Sequence, residues 1–262
     1  MGFPEGFFWG AAASSYQIEG AHDADGCGRS VWDALCERPG AIHGGEHGRV
    51  ACDHYHRYEQ DVRLMAEIGL QAYRFSIAWP RVLPEGIGKV SEAGLGFYDR
   101  LVDRLLEAGV KPWATLFHWD YPLDLFHKGG WLHPDSPRWF ADYSAAVVDR
   151  LSDRVENWMT LNEPQVFLWL GHHEGIHAPG LKYALPDVLR ATHNVLLAHG
   201  LSVQTIRARA KGPVRVGPAN VGITSYPAGS LPENMDAARQ RMWSVEGDGG
   251  WNNSWYGDPM VF

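Results

Sequence analysis

The sequence predicts an α/β fold on a parallel sheet, and three observations carry that prediction. Helix-period segments alternate with short apolar strands along the chain. Two junctions share one layout, Glu67-Ile68-Gly69-Leu70-Gln71-Ala72-Tyr73-Arg74-Phe75 and Glu107-Ala108-Gly109-Val110-Lys111-Pro112-Trp113-Ala114-Thr115. In each, a helix stops at a glycine and an aromatic-rich strand follows. No linker or low-complexity stretch divides the chain, which predicts one domain over residues 1–262.

A first strand is expected over Phe7–Ala12. A helix over Tyr55–Ile68, with Val62, Met65, Ala66 and Ile68 apolar, leads into a strand over Ala72–Ile77. The next helix, Asp99–Ala108, places Leu101, Val102, Leu105 and Leu106 at helical spacing before a strand over Pro112–Phe117. Helices near Pro137–Arg154 and Pro186–Ala210 precede strands over Val155–Leu161 and Arg215–Val221. Five strands fit an open sheet or a barrel cut short, because a closed barrel of this kind needs about eight strands.

With 262 residues the chain can bury ample core, and a net charge of −8 argues against a nucleic-acid binder, which carries a basic stripe. No apolar run approaches membrane-spanning length, and Met1-Gly2-Phe3-Pro4-Glu5 lacks the basic start of a signal peptide. Cys27, Cys36 and Cys52 are odd in number and lack CxxC spacing, so reduced thiols and a cytoplasmic location are expected. Twelve tryptophans supply core aromatics and also suit walls that hold sugar rings.

Met159-Thr160-Leu161-Asn162-Glu163-Pro164 reads as a buried strand that ends in an amide and a carboxylate, with Pro164 opening a helix. That puts Asn162 and Glu163 at the C-terminal lip of a strand, where α/β folds build sites. A carboxylate there can give or take a proton, and an amide can both donate and accept hydrogen bonds. The other strands also end in polar or aromatic groups: Ser14, Ser15, Gln17 and Glu19; Arg74 and Arg81; His118, Trp119 and Asp120; Asn220. Together they read as a floor for a polyol. A competing signal is His173-Glu174-Gly175-Ile176-His177, which fits the HExxH zinc-protease pattern. Gly175 and Pro179 oppose the continuous helix that zinc ligation needs, and Tyr183 stands where a third histidine would fall.

Assembled in order, these residues closely resemble glycoside hydrolase family 1, the β-glucosidases and their relatives. The resemblance is carried by Phe3-Pro4-Glu5-Gly6-Phe7-Phe8-Trp9-Gly10-Ala11-Ala12, Tyr73-Arg74-Phe75-Ser76-Ile77-Ala78-Trp79-Pro80-Arg81, Leu116-Phe117-His118-Trp119-Asp120, Thr160-Leu161-Asn162-Glu163-Pro164 and His177-Ala178-Pro179-Gly180. It implies a (β/α)8 TIM barrel of which this chain supplies about the first five strand–helix units. It also implies cleavage of terminal β-glucosyl-type residues with retention and without a cofactor or metal. By resemblance Glu163 is the general acid/base and Arg74 orients the nucleophile. Gln17, His118, Trp119 and Asn162 bind the sugar, and Asn220 lines the leaving-group side.

Two departures from the family pattern stand out. Gln165 follows Asn-Glu-Pro where many members carry an aromatic. The family's nucleophile segment, Thr-Glu-Asn-Gly, does not occur, and Gly257-Asp258-Pro259-Met260-Val261-Phe262 resembles the stretch before the family's sixth strand. The expectation is therefore an incomplete glycosidase domain that needs a complementary C-terminal segment for hydrolysis. The alternatives are a non-hydrolytic sugar-binding relic or interaction fragment, and, more distantly, the zinc protease on His173, Glu174 and His177.

Overall fold

Five parallel strands form one sheet in the order β1 (Gly10–Ala12), β2 (Ala72–Ser76), β3 (Lys111–Phe117), β4 (Asn157–Asn162) and β5 (Arg215–Ala219). The computed structural model describes residues 2–245 and 251–261, so Phe262 lies outside the described residues. Gly10 lies opposite Ala72, Ala72 opposite Lys111, Trp113 opposite Asn157, and Asn157 opposite Arg215, and the β4–β5 register shifts between Met159 and Asn162, which brings Asn162 opposite Ala219. Consecutive strands lie side by side with helices between them, the arrangement that parallel pairing requires.

The glycine stops work as their position implies. Gly69 adopts φ +81° after helix His54–Glu67, its N–H donates to Ala66 O, and Leu70 N–H reaches back to Met65 O. This pair of bonds closes the helix and turns the chain into β2; a side chain at that φ would cost about 1 kcal/mol or more. Gly109, at φ +72°, repeats the device ahead of β3.

The helices bury one face each. Glu92–Glu107 places Leu95, Tyr98, Leu101, Val102 and Leu105 in the core, and Ser136–Leu151 places Phe140, Tyr143, Val147, Val148 and Leu151 there. Each fully buried side chain of this size contributes roughly 1.5–3 kcal/mol. Leu185–Arg209 packs along Ser136–Leu151, where Ser144 and Ser202 share a buried hydrogen bond of 2.8 Å.

Several boundaries differ from expectation. Helix Glu92–Glu107 begins seven residues before Asp99, where Gly94 and Gly96 hide its periodicity in the sequence. Gly94 is required by packing: a Cβ there would lie 2.0 Å from Arg81 O. The first strand is shorter than Phe7–Ala12. Phe7 and Trp9 instead gather around Phe3, with ring centroids 4.5 and 4.6 Å from it, and remain partly exposed. Beyond Ala219, Val221 O leaves the ladder and accepts from Gln165 Nε2 at 2.9 Å. Among the described residues β1 pairs only with β2 and β5 only with β4, so each presents an open edge.

Candidate active site

The site is built at the C-terminal ends of β2, β3 and β4. At the end of β4 the backbone turns sharply. Glu163 adopts φ +46°, ψ +63°, its N–H donates to Ala219 O at 2.8 Å, and Pro164 opens the short helix Pro164–Leu168. A left-handed conformation costs a non-glycine residue about 1–2 kcal/mol, so the surroundings must hold it there. The Glu163 side chain is half-buried.

Asn162 is held at three atoms. Its Oδ1 accepts from Arg74 Nη2 at 2.5 Å, its Nδ2 lies 3.1 Å from His118 Nε2, and its main-chain O accepts from Trp119 Nε1 at 2.9 Å. Arginine can only donate, so Oδ1 must face Arg74 and Nδ2 must face His118. His118 Nε2 is therefore an acceptor and the imidazole proton sits on Nδ1, which is buried with no partner among the described residues. Burial, reinforced by the charge of Arg74, pushes the His118 pKa down to about 3, keeping the ring neutral.

Arg74 Nε donates to Thr115 Oγ1 at 2.9 Å, so a β2 cation is anchored on neutral groups of β3 and β4. Burial lowers its pKa, and the nearby charge of Glu163 acts in the opposite direction. Among the described residues Arg74 forms no ion pair with a carboxylate, unlike Arg81, which pairs with Glu19, and Arg150, which pairs with Asp99.

A cleft of about 420 Å³ opens beside this network. Gln17, His118 and Trp119 line it, as do Tyr16, Trp32 and His177. The His177 ring lies 5.7 Å from both Trp32 and Trp119, making one aromatic wall. Nothing local in the sequence marks Trp32 for this place. Asn220 is exposed at the exit of β5, next to the Ala219 carbonyl that holds Glu163, with Nδ2 3.8 Å from Met260 Sδ. It makes no hydrogen bond to the Arg74–Asn162–His118 network.

Not every polar strand end belongs to the floor. Glu19 and Arg81 are 5% and 2% exposed and pair internally, with Arg81 Nε donating to Glu19 Oε2 at 3.1 Å and Tyr98 OH to Glu19 Oε1 at 2.7 Å. Ser15 Oγ donates to buried Asp120 at 2.6 Å, and burial is the main force that pushes Asp120 up to about 7. Gln165 is buried too, so it ties the helix after Glu163 to the β5 exit and offers no stacking surface.

The zinc-protease reading is corrected by the backbone. His173 ends a π-helical turn, Trp169–His173, and Gly175 at φ +75° breaks the chain before His177. The two histidines share no helical face: His173 Nδ1 donates to Tyr183 O at 2.8 Å, while His177 faces the cleft.

Strand order, helical crossovers and polar groups gathered at the strand ends define a partial (β/α)8 barrel. A family 1 β-glucosidase from Thermotoga maritima superposes with a TM-score of 0.86 at 45% identity, covering 92% of this chain and 54% of that one. The chain belongs to glycosyl hydrolase family 1, whose family model matches residues 1–262. Beta-glucosidase A of Acetivibrio thermocellus is 46% identical over 259 residues, 99% of this chain and 56% of that protein. Virulence factor SghA of Agrobacterium tumefaciens, solved with its substrate analog salicin, aligns at 45% identity and TM-score 0.85, over 91% of this chain and 52% of that one. The chain thus spans about half the length of the relatives it matches.

Proposed function

We propose that this chain carries the acid/base half of a retaining β-glycosidase acting on terminal non-reducing β-glucosyl-type residues of oligosaccharides or aryl and alkyl glycosides. The observation that supports it best is the placement of Glu163 beside an Asn162 amide fixed by Arg74 and His118. Protonated Glu163 donates to the glycosidic oxygen as the leaving group departs. The resulting carboxylate then takes a proton from the water that releases the sugar. Gln17, His118, Trp119 and Asn162 hold the sugar. A hydrogen bond to the 2-hydroxyl from Asn162 gains strength as the ring takes on oxocarbenium character. Asn220 lines the leaving-group side.

Retention requires a second carboxylate about 5–5.5 Å from the first. Arg74 is the cation placed to orient it, and a complementary C-terminal segment supplies it, so hydrolysis needs that segment. The β-glucosidase relatives and the SghA complex support a β-linked sugar as substrate.

The test is hydrolysis of a β-linked disaccharide by the chain with and without a complementary C-terminal segment. Turnover only in the complemented sample, lost in Glu163→Gln, is the expected result. Full turnover in the complemented Glu163→Gln sample overturns the acid/base role. Sugar binding without turnover in either sample points to a non-hydrolytic relic.

A further inference from the structure

We infer that Trp119 is a positioning residue for Glu163, acting through the Asn162–Glu163 peptide. Both ends of this peptide are pinned. Its carbonyl accepts from Trp119 Nε1 at 2.9 Å, and its N–H donates to Ala219 O at 2.8 Å. The peptide sits between Asn162, whose side chain is held by Arg74 and His118, and Glu163, whose φ is +46°.

The local relaxation open to a strained residue of this kind is rotation of the preceding peptide plane. That rotation would move Glu163 toward the extended region and swing the Asn162 carbonyl away from the indole. The Trp119 bond opposes it directly. Trp119 is itself in the left-handed region at φ +80°, unusual for a bulky side chain, and its ring packs 5.1 Å from His118 and 5.7 Å from His177. Two strained residues from different strand ends are thus joined by one hydrogen bond. An indole has a single N–H, so this bond occupies its whole donor capacity. In this geometry the ring meets the cleft as a surface and its donor serves the neighbouring strand.

The acid/base role of Glu163 proposed above is taken as given, and the experiment separates the two. Trp119→Phe keeps an aromatic ring and removes the donor. It is assayed in the complemented enzyme on an alkyl β-glucoside, whose leaving group needs a proton, and on the 2,4-dinitrophenyl glucoside, whose leaving group does not. Glu163→Gln is run in parallel. If Trp119 sets Glu163, then Trp119→Phe lowers kcat on the alkyl substrate by about tenfold or more beyond any loss in the glycosylation rate of the activated substrate, within the roughly 10²–10⁴ span of general acid catalysis.

Equal losses on both substrates, or no loss on either, overturn the inference and leave Trp119 as floor or bystander. A Glu163→Gln variant without leaving-group selectivity overturns the proposed function itself. Hydrogen exchange in the chain alone gives a second readout that needs no turnover. The Glu163 amide exchanges about tenfold faster when Trp119 is replaced by its benzothiophene isostere and at the native rate with 5-fluorotryptophan, which keeps the N–H. An unchanged rate in the isostere overturns the inference.

Discussion

Arg74 Nη2 donates to Asn162 Oδ1 at 2.5 Å, a bond that passes over β3 and joins residues 88 apart in sequence. It fixes which end of the Asn162 amide faces His118, and through that the tautomer of the imidazole. One cation therefore sets the donor and acceptor pattern of two side chains, Asn162 and His118.

Arg74→Met removes that reference. The Asn162 amide is then free to flip and the orienting charge is lost. In the complemented enzyme kcat should fall about 10²–10³-fold, the scale of losing one organised charge-stabilising donor. KM should move less. Steady-state kinetics on a disaccharide measure both.

Thr115→Val is nearly isosteric but deletes the acceptor for Arg74 Nε. A half-buried charged donor is left unpaired, and the expected loss is about 1–3 kcal/mol in urea unfolding. Thr115→Ser keeps the hydroxyl and should recover most of it. Equal destabilisation by both variants would show that the methyl group, not the bond, is what matters.

Asp120 and His118 give the stability opposite slopes with pH. Burial first, then Glu19 and Asp33, raise Asp120 to about 7 against an opposing Ser15 hydrogen bond, so its contribution is complete below its unfolded value of about 4 and is lost as pH rises to about 7. His118 is lowered to about 3, so its contribution is complete above about 6.5 and is lost as pH falls to about 3. The slopes oppose between roughly pH 4 and 6.5, each near 1.4 kcal/mol per pH unit at most. Asp120→Asn should leave stability rising with pH across that window, and His118→Gln should leave it falling. Urea midpoints at about pH 4.5, 5.5 and 6.5 decide.

Gly94→Ala should destabilise by about 1–3 kcal/mol, because the new Cβ meets Arg81 O at 2.0 Å and the helix must shift away. By helix propensity alone the same change would stabilise by about 1 kcal/mol, so the sign of the measured change decides between packing and propensity.

The framework is legible in the sequence because its signals are local. Gly69 and Gly109 stop helices through their own backbone, and Pro164 marks the helix start after Glu163. What stays hidden depends on partners far away in the chain. Thr115 looks like any strand threonine until Arg74 is placed beside it, and Trp32 joins the cleft beside Tyr16 and the distant His177. The seven residues at the start of Glu92–Glu107 show the same limit, since Gly94 is explained by Arg81 O and not by helical periodicity. Glu19 and Arg81 mislead for the converse reason: polar residues at strand ends serve a buried pair as readily as a ligand.

The left-handed backbone at Glu163 sets the chemistry of this site against the durability of the fold. Glycine at that position relieves the conformation at no steric cost, so Glu163→Gly should yield an inert protein about 1 kcal/mol sturdier than its parent. Asparagine, which tolerates the left-handed region better than glutamate, should recover part of that gain. The fold by itself would place a smaller residue where this chain carries glutamate.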